Sequence, residues 1–502
     1  ARPGTRACAA SPRMMCAMES SSATEALLSR CSATSEPLLP FNLSLPGENE
    51  EALLGRVRTL EPVHWDRTTP FVPGLAEAMQ PTLLRGTVVD SWAARDWTWE
   101  RLRQLHDGQA LVDVMQSDSH LYLLPDTKAA LQPLLRHHVP HRLRNMSAAE
   151  FFDAMDAQQA RHDAGGYERT AAGRAAWRRG GRRLVHFAAV EKGALASELE
   201  PRSLLFRDAK DVKKSMQYLW LSTPGVRTHT HFDSDHNVFV QLVGRKRFTL
   251  WAPNQTDALC MFPRLHPLWH KSRLDFERPD AAPPCTAYST SEALTVEVGP
   301  GDVLYLPPLW WHTVETLSPS ASLSTLSRYH ALYNRMQGLY RMTYHFDKLA
   351  HYEARVYSLR AYLMMLIRRM TPQPRSMEPA EVGFFRRLVA RYQGFEHLFQ
   401  HDDEDSTALC GLGERGTPTC NNCLGNIKAD ATIAWDEHFK HLPDDVRQPL
   451  FDDYVEEITA WVLGAGKALP FWQQCFLSES GSLRFFKTQP GSEEHLRLWQ
   501  ET

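Results

Sequence analysis

Hydrophobic and polar positions follow different periods in different parts of the chain. From Gln217 to Tyr329 the apolar residues sit in short β-rich runs. Asn237-Val-Phe-Val-Gln-Leu-Val243 and Arg245-Lys-Arg-Phe-Thr-Leu-Trp251 flank Gly244 and predict a hairpin. Leu294 to Val298, the turn Gly299-Pro-Gly-Asp302, Val303 to Leu306 and Ala321 to Leu326 predict further strands, for which a double-sheet jelly roll is the economical arrangement. Upstream, Pro81 to Asp90 reads as a short strand and turn, and Trp97 to Leu105 has helical spacing. Beyond His330 the period becomes helical, with amphipathic stretches at Phe384 to Tyr392 and Tyr454 to Leu463. Residues 1–50 are rich in Ser, Ala and Pro without a period and predict a disordered leader. The expected organisation is therefore a leader (1–50), a β-rich domain (51–335, core 217–330) and an α-helical region (336–502).

Composition narrows the classes. The 502 residues are 43% hydrophobic, enough for more than one core, and the charges nearly cancel at net −3. No whole-molecule field then draws the chain to nucleic acid or an anionic membrane. The longest apolar stretch, Tyr362 to Ile367, stops at Arg368 and Arg369, short of the roughly 20 residues of a membrane span. The one basic concentration, Arg161 to Arg183, lacks interleaved aromatics and predicts a solvated insertion, with docking of an acidic protein or RNA as its functional alternative. The chain begins at Ala1 with its first methionines at 14, 15 and 18, which leaves its translational start open, and shows no apolar stretch of the signal-peptide kind.

The chemistry concentrates in Thr228-His-Thr-His-Phe-Asp233. Side chains two apart on a strand share a face, so His231 and Asp233 can both face one metal ion. Gly301-Asp-Val-Leu-Tyr-Leu-Pro-Pro-Leu-Trp-Trp-His312 supplies a third ligand, His312, at the far end of a buried strand. Two imidazoles and one carboxylate leave three octahedral positions open, as non-haem Fe(II) needs to take a bidentate oxoacid and O2. His229 alternates with His231 and is a weaker candidate ligand. Trp310 and Trp311 read as core and pocket wall. Substrate choice is expected in loops such as 262–292 and 161–183.

These motifs resemble the JmjC, cupin-like hydroxylases, most closely the subgroup of the hypoxia-inducible-factor asparaginyl hydroxylase and the heat-shock-protein-associated JmjC proteins. The resemblance covers roughly residues 60 to 335. It rests on Thr228-x-x-His-x-Asp-x-x-x-Asn-x-x-x-Gln-x-x-Gly-x-Lys-Arg247 and Gly301-Asp-x-Leu-Tyr-x-Pro-x-x-Trp-Trp-His312. It implies a double-stranded β-helix and Fe(II) on His231, Asp233 and His312, with 2-oxoglutarate and O2 as cosubstrates. It also implies Lys246 and Thr228 on the distal carboxylate of 2-oxoglutarate and Asn237 beside its metal-proximal end. Counting on from His312, the position of a second family asparagine is Ser327, a shorter residue with one donor. The implied reaction is hydroxylation of a protein or peptide side chain. N-methyl-lysine demethylation is the enzymatic alternative and a non-catalytic cupin-like binding protein the alternative of another class. In a further reading the helical region is the functional part, supporting the barrel or joining two chains.

Nine cysteines are few for a disulfide scaffold, so buried thiols in a cytoplasmic or nuclear protein are the simpler expectation. Three sequons, at Asn42, Asn145 and Asn254, keep the secretory pathway open. Cys410, Cys420, Cys423 and Cys475 are then disulfide candidates. Cys420 and Cys423 with His438 and His441 form a zinc alternative whose His spacing is tighter than in ordinary fingers.

Overall fold

The structure is a computed structural model that describes residues 56–64, 72–117, 121–122, 129, 131, 141–165, 183–189, 198–199, 215–274, 291–327, 331–371, 379–399, 410 and 423–478. The leader, residues 166–182 of the Arg-rich segment, Asn42, Cys420 and His330 lie outside them.

Two sheets face each other, as the jelly-roll reading requires. The smaller runs β1 (Arg56–Thr59), β12 (Glu292–Val298), β11 (Lys246–Trp251), β14 (Trp311–Thr316), β9 (Arg227–Phe232) and β5 (Leu121–Tyr122). The larger runs β2 (Pro62–His64), β3 (Thr82–Arg85), β13 (Val303–Leu306), β10 (His236–Val243), β15 (Ser320–Ser327), β8 (Ser215–Ser222), β7 (Arg183–Ala189), β4 (Ala110–Ser117) and β6 (His141–Ser147). Phe239, Leu304 and Leu306 from the larger sheet meet Phe248, Leu250 and Val296 from the smaller one and fill the space between them.

The opposite parities are buried too, which is why β10 reads as an almost unbroken apolar run. Val238, Val240 and Leu242 pack outward with Leu102 of α2 (Trp99–Leu105, after α1, Val72–Ala78) and with Phe151, Phe152 and Met155 of α3 (Ala148–Gly165). On the other side, Phe232, Trp251 and Trp311 leave the smaller sheet outward and join one continuous core with the C-terminal helices. Those helices are α4 (Ala331–Tyr340), α5 (Tyr352–Met370), α6 (Ala380–Ala390), α7 (Cys423–Ile433), α8 (Asp444–Leu463) and α9 (Ala465–Trp472). The boundary expected at 335 therefore falls inside α4, and a single core runs across it. No described helix is long and apolar enough to cross a membrane.

Two local expectations change. The runs around Gly244 are not a hairpin: β10 pairs with β13 and β15, and β11 pairs with β12 and β14, so the chain crosses between sheets at Gly244. Gly244 has φ +73°, and a Cβ there would lie 2.0 Å from the carbonyl oxygen of Pro319, so only glycine fits the crossing. His312 does not end the strand that follows Asp302. Pro307 and Pro308 cannot donate to a ladder, Leu309 turns the chain at φ +66°, and His312 is the second residue of β14 in the opposite sheet.

Barrel and helices are also joined by charge. Asp452 of α8 is fully buried and accepts from Arg387 at 2.6 and 2.8 Å and from Arg391 at 2.5 Å, while both arginines reach Asp257 on the loop after β11. We expect Arg391→Ala to destabilise the fold by about 3–5 kcal/mol, because it strips one partner from buried carboxylates. A lowered midpoint in urea unfolding would register this, and an unchanged midpoint would show that Arg387 suffices.

Every described cysteine is disulfide-bonded. Cys410 joins Cys475 across 65 residues with Cα atoms 5.5 Å apart, and Cys260 and Cys423 are each bonded as well. Loop entropy alone makes a bridge of that span worth about 4 kcal/mol. The expectation of buried thiols is thus corrected for these residues. Zinc on Cys423 is excluded by the same bond, and the only grouping among the described residues with metal-ligand geometry lies elsewhere.

Candidate metal centre

His231 is the penultimate residue of β9, opposite His312 of β14, and Asp233 lies just beyond Phe232, the strand's last residue. Donor atoms of the three residues all lie within 4.8 Å of one another, with His312 Nε2 3.9 Å from Asp233 Oδ2 and the two imidazole centroids 4.3 Å apart. The backbone aims both rings. His231 Nδ1 is 2.7 Å from the carbonyl of His229, and His312 Nδ1 is 3.0 Å from that of Trp310. A ring whose Nδ1–H donates to a carbonyl presents an Nε2 lone pair to a metal. Burial holds the His231 imidazole well below its usual range, with His312, Lys271 and His270 adding to the effect, so it is neutral. The amide N–H of Leu309 donates to the Asp233 carbonyl at 2.8 Å and ties this ligand to the turn that leads to His312. The triad predicted from sequence is brought together, and its donor set can bind a metal.

Thr228 reaches the barrel interior through a feature invisible in the sequence. Three positions separate it from His231, which on a regular strand puts the two on opposite faces. In β9, however, His231 pairs with His312 and Thr228 with Val314, so three steps on one strand match two on the other. This β-bulge turns Thr228 back to the interior, opposite Val314, which packs against the barrel core. His229, within the bulge, is buried with its Nε2 2.7 Å from the Ser272 carbonyl and is not a ligand.

Lys246, the first residue of β11, shares its parity with Phe248 and Leu250. Its ammonium is buried over the Phe239 ring and donates to Ser322 Oγ at 3.0 Å. No carboxylate pairs with it among the described residues, and burial pushes its pKa down to about 7. Arg245 and Arg247 are engaged elsewhere: Arg247 bonds Glu297 and Glu315, and Arg245 lies beside Glu297 on the surface. Asn237 Nδ2 donates to Asp233 Oδ2 at 3.3 Å, and its Oδ1 is buried without a partner among the described residues. Ser327 is out of register with these groups: it pairs with His236, while Leu326 pairs with Asn237. It is buried at the rim, where it lines a cavity beside the metal ligands.

That cavity, about 180 Å³, lies between the barrel mouth and the C-terminal helices. Ser234, Asp235, Leu309 and Ser327 line it from the barrel, Met336 and Tyr340 from α4, and Leu450 and Asp453 from α8. Arg264 stacks 3.5 Å over Trp269 and is held by Glu457 and Asp453. Burial pushes Asp453 up to about 8. The sequence reading misses Arg264, Trp269, Lys271 and Asp453. The described part of the loop expected to select substrate from Phe262 onward folds against the site, with Lys271 bridging to His231. Nothing local in α8 marks Asp453 as part of a cavity wall.

The cupin-like domain family matches residues 71–334, more than half of the chain. Similar curated proteins are JmjC domain-containing protein D of Dictyostelium discoideum (33% identity over 106 residues), an HSPB1-associated protein 1 homolog of Danio rerio (35% over 117) and lysine-specific demethylase JMJ31 of Arabidopsis thaliana (28% over 112). These alignments span 21%, 22% and 22% of this chain and 23%, 24% and 20% of the three relatives. With its two-sheet barrel and a histidine, aspartate and histidine set at the mouth, the chain belongs to the cupin-like JmjC domain family.

Proposed function

We propose that this chain is an Fe(II)- and 2-oxoglutarate-dependent oxygenase that hydroxylates a protein side chain. The observation that carries the reading is Lys246, a buried ammonium without a carboxylate partner among the described residues, inside the barrel whose mouth carries the triad. Burying a lone cation is costly, and a dianionic cosubstrate with one carboxylate on Lys246 offsets that cost. His231, Asp233 and His312 would hold the iron, and a donor set of two imidazoles and a single carboxylate suits it. Thr228 would share the distal carboxylate with Lys246. Asn237 would orient Asp233 beside the metal-proximal end, through the bond from its Nδ2, while Ser327 borders the approach. Bound iron would let O2 act as the oxidant, with 2-oxoglutarate decarboxylated to succinate and CO2, one oxygen atom of O2 going to succinate and the other to the substrate C–H bond. The protein's own residues bind, orient and exclude water.

The cavity between barrel and helices is the route for a substrate side chain, so the C-terminal helices would help to select it. One similar protein is named for association with HSPB1, in keeping with a protein substrate. Demethylation is the second reading, favoured by the relative named as a lysine-specific demethylase. A binding protein without catalysis leaves the intact triad and Lys246 unexplained. Purified protein with Fe(II) and ascorbate should convert 2-oxoglutarate to succinate. Mass spectrometry of candidate proteins should then show a gain of one oxygen, whereas loss of a methyl group would install the demethylase reading. Absence of turnover in iron-loaded protein with every candidate would favour the binding protein.

A further inference from the structure

We propose that Asn145 and Asn254 carry N-linked glycans, attached in the oxidising compartment that forms this chain's disulfides. Two independent observations support this. The described cysteines, Cys260, Cys410, Cys423 and Cys475, are all disulfide-bonded, a pattern that persists where thiols are not kept reduced. The same compartment contains the machinery that reads sequons, and the chain has Asn145-Met-Ser147 and Asn254-Gln-Thr256.

Both asparagines are exposed, and neither Nδ2 has a hydrogen-bond partner among the described residues. Asn145 lies on β6, the edge strand of the larger sheet, opposite an irregularity of β4 between Leu111 and Val114. Its Oδ1 accepts from the amide N–H of Asp113 at 3.1 Å, where Asp113 turns the chain at φ +55°. That contact uses the amide oxygen alone, so a sugar on Nδ2 leaves it intact. Leu143 and Val112, among the most exposed large apolar residues at 60% and 58%, flank this position, and a glycan there would shield an exposed sheet edge. Asn254 sits in the short turn Pro253–Gln255 after β11. Thr256 Oγ1 donates to the Pro253 carbonyl and accepts from Trp311 Nε1, and it is buried. Transfer at Asn254 therefore precedes folding, while this hydroxyl is still accessible. Neither asparagine lines the cavity at the metal centre.

In the transfer the amide Nδ2 attacks the anomeric carbon of a lipid-linked oligosaccharide diphosphate. A C–N bond forms, the bond to the phosphate oxygen breaks, one N–H proton goes to a base and the lipid diphosphate leaves. The test uses the full chain isolated from its own cells. Release of glycans by a peptide N-glycosidase in heavy-oxygen water should leave 18O-labelled aspartate at positions 145 and 254, and Cys410 and Cys475 should resist alkylation until reduced. Unmodified asparagine at both positions, or alkylation of Cys410 and Cys475 before reduction, overturns the proposal. An Asn145→Gln, Asn254→Gln double variant should lose both electrophoretic steps that the glycosidase removes, and retention of the full shift would place the glycan elsewhere and overturn it as well.

Discussion

Alanine at His231 or at Asp233 abolishes iron binding and lowers 2-oxoglutarate turnover by more than about 100-fold, since loss of an outer-shell partner alone typically costs roughly 10- to 100-fold. The effect comes from the number of donors. Two remaining ligands close no facial site, and His231 and Asp233 are only partly buried at the barrel mouth, so their removal opens no cavity in the main core. The fold should survive, with an unfolding midpoint near that of the parent protein. Iron content by elemental analysis and succinate formation measure the outcome, and full turnover in either variant would overturn the assignment. His312→Ala should behave alike in metal binding, although its more buried ring makes a small loss of stability acceptable. Wild-type iron content in that variant would place the third ligand elsewhere.

Replacement of Lys246 by methionine leaves iron in place and raises the 2-oxoglutarate requirement by roughly two to three and a half decades, the equivalent of the about 3–5 kcal/mol expected when one member of a buried charge pair is removed. Methionine keeps much of the volume over Phe239 and removes only the charge and the bond to Ser322. A pH signature goes with it. Before cosubstrate binds, burial holds Lys246 near 7, and pairing with a carboxylate raises that value, so between the two pKa values binding takes up a proton. The affinity for 2-oxoglutarate of the parent protein should therefore fall as pH rises above about 7, by up to roughly tenfold per unit. Titrations from about pH 6.5 to 9 should show this slope in the parent and a flat profile in Lys246→Met. An unchanged 2-oxoglutarate dependence in the variant would pass the anchor to another cation. Arg247 is a poor substitute, because Glu297 and Glu315 already hold it.

The sequence by itself picked out His231, Asp233 and His312, whose donor atoms the fold brings within 4.8 Å of one another, because two imidazoles and a carboxylate are the donor set an open iron site would need, and residue type is readable without contacts. It likewise determined the strand-rich centre and the helical C-terminus, whose periods of two and 3.6 are local properties. It also singled out Lys246 and Asn237, through a resemblance carried by the spacing from Asp233. What the tertiary structure decided is everything that depends on which strands are neighbours. The bulge in β9 brings Thr228 to the interior despite its odd spacing, and the pairing of β15 puts Ser322 beside Lys246 and Ser327 at the rim. The runs on either side of Gly244 were distributed to different sheets by the close approach of Pro319, and His312 was carried into β14 by the turn at Leu309. The cavity wall of Asp453 and Tyr340 and the disulfide between Cys410 and Cys475 join segments far apart in the chain. A periodic pattern records which face of an element is buried but carries no label for the partner it is buried against. Register shifts, sheet crossings and distant side-chain encounters are settled only when both sheets and the helices pack together.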